Sequence, residues 1–168
     1  MPNTYEVIAS VTVGSGGASA ITFSSIPQTF TDLIIKSSSR SSGAANSIIL
    51  SFNGSAANFT TRGLVGTGSG SASSYTSTNA LAGMTTRSTF TANTFSNNEL
   101  YIPNYTSSNN KSSSLDATQE NNATESYIQF NANLWSQTAA ITSITLTPEI
   151  SNTFAQYTTA VLYGIKNS

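Results

Sequence analysis

The chain lacks cysteine and histidine, and it has few charged residues. Its 168 residues include six Lys and Arg and seven Asp and Glu, so charged residues make up 8% of the chain, compared with about 25% in an ordinary soluble domain. Without Cys or His, the sequence excludes disulfides, zinc fingers, thiolate nucleophiles and imidazole bases. The six basic residues are dispersed and leave no cationic patch for phosphates, which excludes a nucleic-acid partner.

Long apolar runs are absent as well. No window approaches 18 consecutive apolar residues, so the sequence predicts no membrane span. The first residues, Met-Pro-Asn-Thr-Tyr-Glu, contain neither the charged nor the apolar region of a signal peptide, and we expect no secretory leader. The absence of cysteine therefore says little about the redox compartment.

Small polar residues are abundant instead. Ser, Thr and Asn number 30, 25 and 17, which is 72 residues or about 43% of the chain. Such a composition raises the question of disorder, whose signature is less than about 20% Leu, Ile, Val and Phe with a high net charge. This chain has 35 of these four residues, 16 aromatic residues and a net charge of −1. We therefore predict one folded domain over residues 1–168.

The apolar residues alternate with polar residues, which is typical of half-buried β-strands. In residues 5–13 one predicted face carries Tyr5, Val7, Ala9, Val11 and Val13. In residues 126–135 one face carries Ile128, Phe130, Ala132 and Leu134, and the other carries Tyr127, Gln129, Asn131, Asn133 and Trp135. Further strands are predicted at 20–23, 31–38, 47–53, 58–65, 95–102, 111–119, 141–147 and 154–165. The pattern predicts an all-β, antiparallel β-sandwich of jelly-roll type with about eight to ten strands.

Residues 66–89 differ from the rest of the chain. This segment holds three closely spaced glycines and many Ser and Thr, with little periodicity. Long loops in compact domains usually have a function or are mobile. We therefore predict a long, flexible, exposed loop here, with room for one edge strand.

Three patterns that could support chemistry are better explained in other ways. Ser108 and Lys111 have the S-x-x-K spacing of some acyl enzymes, but those enzymes place the pair on a helix. The glycines at 63–70 lack the Gly-Lys-Ser/Thr of a phosphate loop. The carboxylates between 99 and 125 match neither a glycosidase pair nor a calcium loop. We therefore predict a protein that is not an enzyme and has no cofactor and no metal.

Aromatic residues are the strongest candidates for contact with a partner. We single out Tyr5, Tyr75, Tyr101, Tyr105 and Trp135. Aromatic rings bind the CH faces of sugars and keep a polar group for hydrogen bonds. The competing interpretation is that Trp135 closes one end of the sandwich and that the tyrosines are half-buried on strands.

The scarcity of charge also bears on association. Charged side chains on edge strands are the usual protection against edge-to-edge pairing of sheets, and a net charge near zero weakens repulsion between molecules. Neutral Ser, Thr and Asn side chains make contacts that salt does not screen. The surface therefore favours a protein that functions inside an assembly.

Several stretches of the chain resemble the small structural proteins of tailed bacteriophages. They are Ile-Ala-Ser-Val-Thr-Val-Gly-Ser-Gly-Gly at 8–17, then residues 21–33, Glu-Asn-Asn-Ala-Thr at 120–124, residues 134–146 and residues 157–165. Together they touch most of the chain outside 66–89. They are strand-and-turn patterns and include no chemical motif, so the resemblance supplies no catalytic residues.

This resemblance implies a virion component, assembled in the cytoplasm of a bacterial host, with a jelly-roll-like sandwich. The leading expectation is a capsid decoration (cement) protein that binds the major capsid protein and stabilises the shell. Because capsids offer local three-fold and two-fold sites, we expect a homo-trimer or a homo-dimer. The alternative is a tail or fibre module that binds glycans on the host surface.

Overall fold

The computed structural model describes residues 4–68, 70–122 and 125–166, all of them in strands, bridges, turns or irregular segments. Both ends of the predicted domain and residues 69, 123 and 124 lie outside the described residues. Within the described ranges there are twelve strands: β1 Tyr5–Thr12, β2 Ile21–Phe23, β3 Asp32–Ser39, β4 Ser47–Phe52, β5 Phe59–Gly66, β6 Ser73–Ser77, β7 Leu81–Met84, β8 Ser96–Ile102, β9 Lys111–Gln119, β10 Tyr127–Trp135, β11 Ile144–Pro148 and β12 Thr159–Ile165.

These strands form two antiparallel sheets. The larger sheet has the order β1-β12-β3-β8-β9-β10-β5-β6, and the smaller one has the order β2-β11-β4-β7. The sheets pack against each other, so the predicted all-β sandwich is confirmed. Its jelly-roll connectivity stays a prediction. We call the side of the eight-stranded sheet that packs on the smaller sheet its inner face, and the opposite side its outer face.

The described part of segment 66–89 contains two strands, whereas the prediction was a long exposed loop with room for one edge strand. These strands are β6 and β7. β6 is an edge strand of the larger sheet, and β7 is an edge strand of the smaller sheet. All four residues of β7 are buried. A strand of four residues, buried on both faces, shows no alternation of apolar and polar residues, and this is why its period could not be recognised.

A β-bulge in β1 corrects a second prediction. Val7 pairs with Tyr163 and Ala9 pairs with Leu162, so Ile8 is an extra residue in the ladder. A bulge of one residue exchanges the two faces of a strand. Tyr5 and Val7 therefore lie on the outer face, whereas Ala9 and Val11 face the core.

The core lies between the two sheets and forms one cluster of buried side chains. At one end of the core, the rings of Phe52, Phe59 and Trp135 pack together, with centroids 5.3 to 6.2 Å apart. Towards the β1 edge of the larger sheet, Phe30 lies over Gly164, where an added Cβ would lie 2.4 Å from the Phe30 ring. These contacts hold the inner face against the smaller sheet and leave the outer face uncovered.

Candidate interaction surface

The five aromatic residues predicted from the sequence do not form one surface. Tyr5 is 52% exposed on the edge strand β1. Tyr101 is half-buried on the outer face of β8, and its hydroxyl donates a hydrogen bond of 2.8 Å to the Asp32 carboxylate. Tyr75 lies on β6, where its hydroxyl donates to Asn131 Oδ1 at 2.8 Å.

The other two aromatic residues are in the core. Tyr105 is 0% exposed and its hydroxyl donates to the Pro27 carbonyl. Trp135 is 4% exposed between Phe52 and Phe59. Neither ring has a free face on which a sugar could stack, and such a face is what the glycan-binding alternative needs from Trp135.

The surface that the sequence did not reveal is centred on β10. Along this strand the amides face inward and the apolar side chains face outward. Ile128, Phe130 and Leu134 are 55%, 52% and 39% exposed. Leu64, which pairs directly with Phe130 across the β5–β10 ladder, is 54% exposed. Contiguous exposed apolar side chains of this kind mark interaction sites.

Hydrogen bonds inside the sandwich explain why β10 has this orientation. Asn133 accepts a hydrogen bond of 2.7 Å from Thr61 and donates to Ser113 and to the Leu81 carbonyl, both at 3.2 Å. Asn131 accepts from Tyr75, and Tyr75 in turn accepts from Gln129. Burying an amide is costly unless it is hydrogen-bonded, and each of these three amides makes at least one such bond. This network therefore fixes the inner face of β10 and turns its apolar face outward.

Alternation alone separates the two faces of β10 but does not say which of them is buried. One signal in the sequence could have done so. The three amides lie on the same side of the strand as Tyr127 at its start and Trp135 at its end, and both of these residues are aromatic. Aromatic side chains bury large areas in cores, so their side of the strand identifies the inner face.

Small residues beside the apolar side chains create a groove on the outer face. Its volume is about 730 Å³, and it is lined by Arg62, Gly63, Leu64, Ser74, Tyr75, Thr76, Ser114, Leu115, Phe130, Asn131 and Ala132. Ser114 and Ala132 are paired across β9 and β10, next to the larger Phe130 and Leu64. We define the β5–β10 patch as Leu64, Ile128, Phe130, Ala132 and Leu134.

A second apolar group lies at the opposite side of the same face. It contains Tyr5, Val7, Val161 and Tyr163, which we define as the β1–β12 patch. Val7 pairs with Tyr163 across the ladder, and the rings of Tyr5 and Tyr163 meet edge to face with centroids 6.5 Å apart. The outer face therefore carries apolar side chains on both sides of its middle.

Charged side chains occupy that middle, which we define as the central strip: Lys36, Glu99 and Asp116. The three pair in turn across β3, β8 and β9. Lys36 Nζ lies 3.0 Å from a Glu99 carboxylate oxygen, and this contact raises the pKa of Lys36. Asp116 lies directly across from Glu99 and forms no ion pair with any described residue. Two like charges facing each other are unfavourable in an isolated sheet.

Among the described residues, no group of three or more acidic side chains is placed to hold a metal ion. No helix in the described ranges is long and apolar enough to cross a membrane.

No model of a known protein family matches the chain, and a comparison with curated protein sequences finds no relative. What the surface does must therefore be argued from its own geometry. That geometry offers apolar patches, a groove and a charged strip on one sheet face.

Proposed function

We propose that this chain is a non-enzymatic structural protein of a virion, and specifically a capsid decoration protein that binds the outer surface of the major capsid shell. One observation carries the proposal. The outer face of the eight-stranded sheet exposes Leu64, Ile128 and Phe130, each by more than half, in a chain with only 8% charged residues. The resemblance of the sequence to structural proteins of tailed bacteriophages is the reason for proposing a virion as the assembly.

The physical argument rests on apolar surface that an isolated molecule would leave in water. Fully burying a Leu, Ile or Phe side chain contributes about 1.5 to 3 kcal/mol relative to leaving it exposed. Half-exposed side chains keep about half of this contribution in reserve for an interface. The four large residues of the β5–β10 patch together offer about 3 to 6 kcal/mol towards an assembly contact, before the entropy cost of association is subtracted.

Polar groups around the patches would add contacts that do not depend on salt. Ser74, Thr76 and Ser114 line the groove beside Arg62, and their hydroxyl groups offer a partner neutral hydrogen bonds that ions do not screen. Assembly contacts of this kind persist when the ionic strength changes.

Image reconstruction of the intact phage particle that carries this chain tests the proposal. We expect density of the size of the sandwich at symmetric positions on the outer surface of the shell. Absence of the chain from purified particles, or density at the tail alone, would contradict the proposal.

The same particles test the mechanism of attachment. We expect occupancy to persist from about 0.1 M to about 1 M salt, over which the screening length falls from about 10 Å to about 3 Å. Release of the chain over this range would show that charged contacts hold it, contrary to the proposed neutral contacts.

A further inference from the structure

We propose that two copies of this chain bind face to face through their outer faces, around a two-fold axis that runs along β8. This inference rests on the proposed function, in which the outer face is an assembly contact, and it names a second copy of this chain, rather than the shell itself, as the occupant of that face. It follows from the strand order, from the positions of the two apolar patches and from the charges between them.

Strand order determines which strands meet in such a dimer. β8 is the fourth of eight strands, with β3, β12 and β1 on one side and β9, β10, β5 and β6 on the other. A two-fold axis along β8, in the plane between the sheets, exchanges the two sides. It places β3 over β9 of the second copy, β12 over β10 and β1 over β5. Only β6, which is short and polar, is left outside.

Apolar side chains then meet apolar side chains at two positions, whereas the same registers place Leu64 over Ser10, Ile128 over Thr159 and Val7 over Arg62 of the second copy. The β1–β12 patch of each copy lies over the β5–β10 patch of the other. The residues that pair across neighbouring strands form a row from Val161 through Lys36, Glu99 and Asp116 to Phe130. The axis crosses this row at Glu99, so Val161 comes opposite Phe130 of the second copy. In the neighbouring row, the large Tyr163 comes opposite the small Ala132 in the groove. A ridge entering a groove is the complementarity that tight sheet packing requires.

The central strip becomes charge-complementary in the same arrangement. Lys36 and Asp116 lie on either side of β8 in one row. The axis therefore brings Lys36 of each copy over Asp116 of the other, which gives each Asp116 an ion-pair partner, whereas it forms no ion pair with a described residue of its own chain. Glu99 is on the axis and meets Glu99 of the second copy, each beside its own Lys36.

The available area matches that of a stable dimer. Seven strands at a spacing of about 4.8 Å, with about six residues of about 3.4 Å each, present roughly 700 Å² per copy. Stable interfaces bury about 800 Å² per partner, within a range of about 600 to 1,000 Å². The outer face is therefore large enough without a contribution from any other part of the molecule.

Sedimentation equilibrium of the full chain tests the inference. We expect a species of twice the chain mass of 17.5 kDa. Phe130→Asp and Val161→Asp each place a charge in one patch, and each should raise the dimer dissociation constant by at least about tenfold. Ile150→Asp is the matched control, because Ile150 is 71% exposed but lies in the turn after β11. It should leave the dimer unchanged. Thermal unfolding of each variant checks that the sandwich still folds.

A charge exchange separates this dimer from other modes of association. Lys36→Asp and Asp116→Lys should each weaken the dimer, because each places like charges opposite one another across the axis. The chain that carries both substitutions should recover the dimer, because opposite charges again face each other at these two positions. Glu99→Gln should strengthen the dimer, because it removes the like charges on the axis. A wild-type monomer, a trimer, or a double variant no tighter than the single ones would overturn the inference.

Measuring whether the chain is present on phage particles distinguishes failure of the dimer from failure of the proposed capsid function. If the chain is a monomer in solution and still decorates the shell, the dimer is wrong and the proposed function stands. If the chain is a dimer with the expected variant effects but is absent from particles, the dimer stands and the capsid function is wrong.

Discussion

At the scale of single residues, Gly63 has a steric role in the larger sheet. A Cβ at this position would lie 2.3 Å from the Tyr75 ring and 2.5 Å from Asn131 Oδ1. Both groups belong to the hydrogen-bond network that holds the inner face of β10. A larger residue would therefore push on Tyr75 and Asn131 at the same time.

We expect Gly63→Ala to lower the free energy of unfolding by about 1 to 3 kcal/mol, the usual effect of overpacking. Gly66→Ala is the matched control, since Gly66 is on the same strand and a Cβ there meets nothing within 4 Å. It should be neutral or slightly stabilising, because Ala costs less chain entropy than Gly. Urea denaturation of the two variants compares them, and equal stabilities would contradict the steric role.

At the scale of elements, the segment 66–89 gives a direct test of the sandwich. Met84 is 1% exposed on β7, whereas Thr76 is exposed on β6. We expect Met84→Ala to cost about 2 to 5 kcal/mol of stability, because it leaves a cavity under the smaller sheet. Thr76→Ala should change stability by no more than about 0.5 kcal/mol. If denaturant midpoints showed no loss for Met84→Ala, β7 would not be part of the core.

The strands that sequence reasoning found are those whose side chains alternate. β9 was predicted with its observed bounds, 111–119, because its buried and exposed residues alternate along nearly its whole length. β7 was missed because all of its residues are buried. The sequence does not reveal the bulge at Ile8, because apolar and polar residues alternate on both sides of it. The bulge only changes which of these residues face the core. Local sequence therefore predicts where the strands lie, whereas which of their side chains are buried depends on partner strands far along the chain.

The interaction surface shows the same limit. Of the aromatic residues that the sequence predicts as contacts, Tyr5 lies on the outer face, but Tyr105 and Trp135 are in the core. Phe130 and Leu64 were not chosen, because an apolar residue on a strand is expected to be buried. Their exposure follows from the amides opposite them, whose partners on β5, β6 and β9 become known only once the sheet is assembled.

At the scale of the whole molecule, buried and half-buried tyrosines make the free energy of unfolding depend on alkaline pH. Burial raises the pKa of Tyr75, Tyr101, Tyr105 and Tyr127 above the ordinary value of 10.0, and the Asp32 carboxylate raises that of Tyr101 further. Their contribution is complete below pH 10.0 and is lost as the pH rises through the folded pKa values. Burial lowers the pKa of Lys111 and of Arg40, and these two groups act in the opposite sense.

We therefore expect the free energy of unfolding to fall as the pH rises above about 10. Guanidinium denaturation at several alkaline pH values measures the loss, and phenolate absorbance should rise together with the loss of β-sheet circular dichroism. Ionisation of these tyrosines without unfolding would contradict the prediction.

The bulge at Ile8 has a consequence for how large any assembly can become. β1 is a long, nearly uncharged edge of the larger sheet, and a flat edge of this kind would accept strand after strand and grow into a fibre. The extra residue twists the edge and interrupts its row of free backbone groups. A newly arriving strand could align with one half of β1 but not with both. This chain has little charge to keep its copies apart, and the bulge in its edge strand blocks continuous strand pairing instead. Closed assemblies are therefore possible where continuous polymers would otherwise form.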